Sequence, residues 1–401
     1  MYLETPRKFR ALVSQAHQVA ANYLRPLSRQ YDRAEHAYPK ELDMLAALLD
    51  GMNAASPDVL GAGAAGKRSE GDTDGVRNGG NLSACLAVME MCWGDVGLLL
   101  SMPRQGLGNA AIAAVANEEQ RQRFANVWAA MAITEPSCGS DSAAIRTNAV
   151  RDGDHYVLNG EKIFVTAGAR ADAVVVWATL DRSLGRAAIK SFVVEKGTPG
   201  MAVTRLEKKL GIKASDTASI SFQDCRVPAA NLLGSPEIDA QKGFAGVMET
   251  FDNTRPMVAA MAVGLARASL DRSRALLEKA GCRFDRQRPL LAMQHAEACW
   301  HRYEAEWEAA RLLTLKAAWM ADNRMPNSKD ASIAKAKAGR MVGEVTLGCV
   351  ALVGAPGYSE DELLEKWARD AKILDIFEGT QQIQQLIIAR RLLGKSSAEL
   401  K

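Results

Sequence analysis

The sequence predicts an α+β protein of three parts in α–β–α order, and three observations predict it. Apolar residues recur at helical spacing through the N-terminal third and again from Thr254 onward. Between Ile133 and Leu233 the period shortens to brief β-rich runs separated by Asp-Gly, Asn-Gly and Pro-Gly turns. The 401 residues exceed one small core, and at roughly 100–200 residues per domain they make two or three. The expected divisions are 1–130, 131–240 and 241–401.

Taken in order, Phe9, Leu12, Val13, Ala16, Val19 and Ala20 share one helical face, and Leu42, Leu45, Leu48 and Leu49 another. Tyr38-Pro39 breaks the segment, because a residue before proline avoids the helical region. From Gly51 to Gly80 the text turns to Gly, Ala, Ser and Asp, which predicts a long loop, mobile or ordered by a partner. Asn81 to Asn117 returns to apolar helix, with Met89, Met91 and Trp93 as core filler.

The middle part holds Ala149-Val150, Tyr156-Leu158, Ile163-Val165, Val174-Trp177, Phe192-Val194 and Ile220-Phe222 as candidate strands. These read as antiparallel structure, a barrel or a sandwich. Beyond Gly243 the pattern is helical again, with Pro256 expected in the first turn of a helix from Thr254 to Ala280. Leu290 to Met320 carries Trp300, Tyr303 and Trp307 at helical spacing, Ala331 to Val353 is alanine-rich, and Thr380 to Leu393 closes the pattern.

Composition narrows the function. With 48% hydrophobic and 24% charged residues the chain is an ordinary globular one, and its net charge of +3 gives no electrostatic support to nucleic-acid binding. No apolar run approaches the ~20 residues of a spanning helix, and the start Met1-Tyr2-Leu3-Glu4 lacks an apolar signal core. Seven cysteines without a C-x-x-C pair read as reduced thiols, and five scattered histidines show no metal-ligand spacing. A cytoplasmic location with no metal follows as the expectation.

Three stretches carry chemistry. The first runs Ile133-Thr134-Glu135-Pro136-Ser137-Cys138-Gly139-Ser140-Asp141 and is followed by Asn159-Gly160-Glu161-Lys162-Ile163-Phe164-Val165-Thr166. Small turn-forming residues open N–H groups and hydroxyls toward an anionic or carbonyl-bearing ligand. The second is Arg369-Asp370-Ala371-Lys372-Ile373-Leu374-Asp375-Ile376-Phe377-Glu378-Gly379-Thr380. There a carboxylate stands among apolar residues, and Thr380 can cap the next helix. The third is Phe251-Asp252-Asn253-Thr254-Arg255-Pro256, in which an Asp–Arg surface pair worth a few tenths of a kcal/mol is the plainer alternative.

These stretches together strongly resemble the acyl-CoA dehydrogenase family, in its medium-chain-like branch. The resemblance covers the chain well from Ile133 to the C-terminus and more loosely before it. It implies an N-terminal helical domain, a middle antiparallel β-barrel and a C-terminal four-helix bundle, with Lys209–Thr217 as a hairpin between barrel strands. It implies FAD as cofactor, an acyl-CoA substrate, and electrons passed to an electron-transfer flavoprotein. Glu378 matches the base that takes the α-proton while a β-hydride passes to the flavin. The Glu378 backbone N–H would share in polarising the thioester carbonyl.

The resemblance further assigns Ile133, Thr134, Ser140, Phe164, Val165, Thr166, Arg283, Gln294, Thr380 and Gln382 to the cofactor. Ser140, Asp252, Arg255 and Gly379 fall to the substrate. Phe164 stands where the family usually has tryptophan against the flavin. An acyl-CoA oxidase of the same fold is the enzymatic alternative, and a non-catalytic subunit completing a partner's FAD site the other.

Two departures bear on assembly. The family's Arg-x-x-Phe-Gly motif, which meets the adenosine half of a neighbour's FAD, keeps Arg283 but continues as Arg286-Gln287. Its later Gln-x-x-Gly-Gly segment reads Ala351-Leu352-Val353-Gly354-Ala355. The expectation is a tetramer, either of one chain or of the α2β2 kind with a homologous chain.

Overall fold

The structure, a computed structural model, describes residues 5–47, 79–103, 107–238, 245–396 and 399, with side chains from 254 onward in the long helix that spans 245–279. The loop expected over 51–80 lies, up to residue 78, outside the described residues.

The chain begins with α1 (Arg10–Val19) and α2 (Arg25–Arg33), joined through a π-helical turn at Ala20–Leu24. Gly94 explains the tightness there: a Cβ on it would lie 2.9 Å from Ala20 Cα. Gly94 ends α3 (Gly80–Gly94), a helix apolar on nearly every side and therefore buried on nearly every side. The first amides of α3 have no helical acceptor, and the Asp322 carboxylate takes three of them, from Gly79 (2.9 Å), Asn81 (2.9 Å) and Leu82 (3.1 Å). The apolar text after it divides into α4 (Val96–Ser101), α5 (Leu107–Val115) and the short α6 (Glu118–Arg123).

Seven strands follow: β1 (Ala129–Ala132), β2 (Asn148–Asp152), β3 (His155–Thr166), β4 (Ala173–Thr179), β5 (Ile189–Glu195), β6 (Met201–Leu206) and β7 (Thr217–Pro228). Their order is β1-β4-β2-β3-β7-β6, with β5 paired to β4. The expected closed antiparallel barrel is corrected on two counts. The β1–β4 and β2–β4 pairings are parallel, and among the described residues no ladder joins β6 to β5, so the sheet curls but stays open.

The sequence explains both. Along β4, Val174 and Val176 enter one apolar cluster while Ala173, Val175 and Trp177 enter another, so its unbroken apolar run is covered on both faces. β6 is an edge, and its Ala202, Val203, Thr204 and Arg205 are exposed. Residues 207–216 form the connection between the antiparallel β6 and β7.

The remainder is helical: α7 (Ala245–Lys279), α8 (His295–Asp322), α9 (Ser328–Val353), the short α10 (Ala355–Tyr358), α11 (Leu364–Leu374) and α12 (Gln381–Leu393). α7 begins before Thr254, so Pro256 stands inside it rather than in its first turn. The run 245–253 has no proline, and its glycine, Gly246, lies at the helix start and not next to Thr254. α7 packs on α3, α8 and α9, and α9 also packs on α11 and α12. One continuous apolar core therefore joins the N-terminal and C-terminal helices, and the sheet keeps its own.

Candidate active site

The site forms where the end of α11 turns into α12 against α7 and α9. α11 is amphipathic and buries Leu364, Trp367, Ala371 and Leu374. Its last helical bond runs from the Phe377 amide to the Ile373 carbonyl (3.0 Å). Glu378 and Gly379 then both take positive φ, +57° and +91°. The left-handed region costs a side-chain-bearing residue about 1–3 kcal/mol unless its surroundings fix it. They do so here. Gln384 Nε2 donates to the carbonyls of Glu378 and Gly379, each at 3.1 Å, and Lys335 Nζ donates to the Gly379 carbonyl at 2.7 Å. Glycine suits this position, because φ +91° strains any L side chain and a Cβ would also crowd Gln384 Nε2 at 2.5 Å. Thr380 is the N-cap of α12, its side chain accepting from the Ile383 amide (3.4 Å).

The turn carries the Glu378 carboxylate to α7, where Thr254 Oγ1 donates to Oε2 across 2.6 Å. Dense packing pushes the Glu378 carboxyl above its ordinary range, opposed by the Thr254 hydroxyl and by the charges of Arg255 and Lys335. Arg255 is 3% exposed, so the surface-pair alternative does not hold for it. Asp252 lies in α7, and its side chain is outside the described residues.

The cradle is built separately, on β1 and β3. Lys162, fully buried, donates to the Ile133 carbonyl (2.9 Å) and the Glu135 carboxylate (2.8 Å). Glu135 also accepts the amides of Arg146 (2.6 Å) and Thr147 (2.9 Å). Thr134 accepts from the Ile163 amide (2.9 Å), so the segment after β1 is fastened along β3. Between Lys162 and Val165 the β3–β7 register shifts, and in that bulge Phe164 takes φ +56° and shows 58% of its surface. Val165 points into the sheet core, Thr166 is half-buried, and Ser140 is exposed on the cradle loop.

The α11 face also fastens the connection between β6 and β7. Asp370 accepts the Ile212 amide (2.5 Å), Arg369 donates to the Leu210 carbonyl (3.1 Å), and a Cβ on Gly211 would meet the Arg369 carbonyl carbon at 2.5 Å. Lys366 bonds Asp370 (2.5 Å) and Asp95 (2.7 Å), which draws in the N-terminal helices. Gln382 is exposed on the first turn of α12, and Arg283 and Gln294 stand exposed between α7 and α8. The grooves around Arg267 and Trp307 are lined by neither base nor cradle residues. Sequence reasoning missed Lys335, Gln384 and the bonding role of Thr254. Lys335 gave no signal of its own, since Lys337 stands two residues further along the same alanine-rich helix.

Phe164 leaves an aromatic ring open on the sheet, and Glu378 is held on the turn between α11 and α12, the two kinds of group a flavin oxidoreductase needs. The comparisons agree. The descriptions Acyl-CoA dehydrogenase, N-terminal, middle and C-terminal domain, match residues 6–132, 130–225 and 241–393. The short-chain specific acyl-CoA dehydrogenase of Clostridium acetobutylicum is 37% identical over 326 residues, 79% of this chain and 84% of that protein. The acryloyl-CoA reductase (NADH) of Anaerotignum propionicum is 33% identical over 95% of this chain and 93% of its own. The butyryl-CoA dehydrogenase structure from Megasphaera elsdenii superposes with TM-score 0.82 at 32% identity, covering 98% of this chain and 100% of that one. The chain belongs to the acyl-CoA dehydrogenase family, flavin oxidoreductases that act on CH–CH bonds. FAD is its cofactor, and the open Phe164 ring in its bulge fits such a group.

Proposed function

We propose that this chain dehydrogenates an acyl-CoA thioester between the α and β carbons, with Glu378 as the base. The observation that carries this reading is the Glu378 carboxyl itself. It sits on a left-handed turn, is raised in pKa by its surroundings and is bonded to Thr254, with Arg255 and Lys335 as neighbouring cations. A base for an α-proton works best when its pKa approaches the working pH, and desolvation supplies that rise. The two cations keep a usable fraction ionised. Thr254 holds the accepting carboxylate in one orientation, which spares reorganisation during transfer. The Glu378 amide lies past the last helical bond of α11 and is available to the thioester oxygen as a polarising donor. Bound FAD supplies the hydride acceptor. Thr134, Phe164 and Thr166 would hold its ring, with the backbone of Ile133 and Val165 beside it; Thr380 and Gln382 would face its phosphate side, and Ser140, Asp252 and Gly379 would border the thioester arm.

The same reading extends to partners. The relatives' names supply acyl-CoA as substrate and support an electron-transfer flavoprotein as acceptor. The oxidase alternative is separated by the rate at which oxygen reoxidises the reduced enzyme. We keep the divisions 1–130, 131–240 and 241–401, a cytoplasmic location and a tetramer whose core is the C-terminal helices, with α12 completing a bundle of α7, α8 and α9. Among the described residues no helix is long and apolar enough to cross a membrane.

The test is Glu378→Gln. The variant is expected to keep FAD and bind acyl-CoA, yet bleach the flavin more slowly by several orders of magnitude. Bleaching at the wild-type rate would remove Glu378 from the role.

A further inference from the structure

Lys335 is a buried ammonium that neither the substrate nor the cofactor accounts for. It lies on α9 with no exposed surface, and its Nζ donates to the carbonyl of Gly379 at 2.7 Å and approaches that of Asp375 at 3.3 Å. Those two carbonyls stand on either side of Glu378. Asp375 is also the C-cap of α11, the end at which carbonyls lack helical donors and the helix dipole is negative. The approach of α9 is made possible by Gly339, one turn along the same face. A Cβ there would lie 3.0 Å from the Leu374 carbonyl oxygen and 3.3 Å from Asp375 Cα.

We propose that Lys335 is a positioning residue for the base: its ammonium clamps the Asp375–Gly379 turn at both ends and is the fixed countercharge beneath Glu378. This rests on the reading of Glu378 as the base. The charged groups facing Lys335 are Asp375 and Glu378 on the turn and Arg255 on α7, whereas Gln384 on α12 is neutral. Burial pushes the Lys335 ammonium down to about 8, against the pull of Asp375 and Glu378. It is therefore still charged near neutrality, where it favours the ionised carboxylate that must accept a proton. The two carbonyl bonds keep Glu378 at positive φ, so that the carboxylate faces Thr254 rather than swinging with a relaxed turn.

The experiment uses the FAD-loaded enzyme and reads the rate of flavin bleaching by an acyl-CoA substrate against pH. Lys335→Met and Lys335→Gln remove the charge, and Lys335→Arg keeps it. With the countercharge gone, the Glu378 pKa rises and the acid limb moves up by about one pH unit, with a roughly tenfold loss of rate near neutrality. Lys335→Arg is expected to restore the limb toward its original position. Melting temperature and flavin content are measured on each variant. Neutral variants that stay folded with an unshifted limb overturn the inference, and so does loss of the fold in both, which would make Lys335 structural only. Glu378→Gln separates the two ideas. If it still bleaches flavin, the base reading fails. If it is inert while the Lys335 limb stays put, only the Lys335 inference fails.

Discussion

Thr254 Oγ1 donates to Glu378 Oε2 across 2.6 Å, joining residues 124 positions apart in sequence. The bond favours the ionised carboxylate, so it lowers a pKa that burial raises. Thr254→Val keeps the shape and removes the donor. A hydrogen bond to a charged group contributes about 1.5–3 kcal/mol, so the acid limb of kcat/KM should move upward by roughly one to two units. Turnover should fall near neutrality and recover as pH rises. Thr254→Ser should leave the limb in place, and a pH profile of Thr254→Val matching wild type would make the bond incidental.

Glu378 has a stability consequence whose sign opposes that of a paired carboxylate. Its folded pKa is raised, so ionising it costs more in the fold than in the unfolded chain. The cost is present in full above the folded pKa and disappears as pH falls toward the unfolded value. Glu378→Gln, which cannot ionise, should therefore melt higher than wild type near pH 8, by about 1–3 °C, with the gap closing toward pH 4–5. Calorimetric scans across that range check it, and a gap that widens on acidification would show the sign to be wrong.

The cradle makes a separate prediction. Lys162 and Glu135 are a buried pair at 2.8 Å, and Glu135 also holds two amides of the following loop. Burial alone would push the Glu135 carboxyl up, yet Lys162 and the donors hold it below its usual value. Lys162→Met leaves an uncompensated buried carboxylate and should cost about 3–5 kcal/mol, with FAD released more readily. The double variant Lys162→Met with Glu135→Gln removes both charges and should recover part of the loss. Denaturant titration with flavin release as a second probe decides it, and a single-variant cost under about 1 kcal/mol would deny the pair its role.

The sequence made the parts legible where local chemistry carries them. Thr380 announces a cap for the last helix, and the cap is there. The α–β–α order followed from a change of period that the strands reproduce. What stayed hidden depends on distant partners. Lys335 reads as a solvated charge in an alanine-rich helix until the turn at Gly379, 44 residues on, is packed against it. The open sheet was equally hidden, because the run Val174-Trp177 fits a central strand of any pairing, and only the partners β1 and β5 decide direction. Pro256 looked like a helix start because proline is tolerated there, but the residues before it continue the helix.

Assembly is the last prediction. The family resemblance implies that one chain cradles the flavin ring while a neighbour meets the adenosine half, and that the residues this chain would offer a neighbour are altered. Arg286, where an apolar ring is usual, turns back to Glu304 on α8 at 2.7 Å. Phe284, two positions earlier, packs edge-on against Trp300 with ring centroids 5.1 Å apart, so it is committed to the chain's own core. Ala351 and Ala355 replace an amide and a glycine near the end of α9, where Gly354 caps the helix at φ +75°. A few lost contacts at about 1 kcal/mol each lower cofactor affinity by orders of magnitude. A homologous chain donating the adenosine contacts would restore it, in an α2β2 assembly with fewer FAD molecules than chains. The alternative is a homotetramer in which Arg286 and Gln287 meet the adenosine phosphates in a new way. Purifying this chain alone and counting flavin per protomer by absorbance separates the two. Flavin-poor protein restored by co-expression with a homologous chain is the expected result, and full occupancy with acyl-CoA turnover in the chain alone would establish the homotetramer instead.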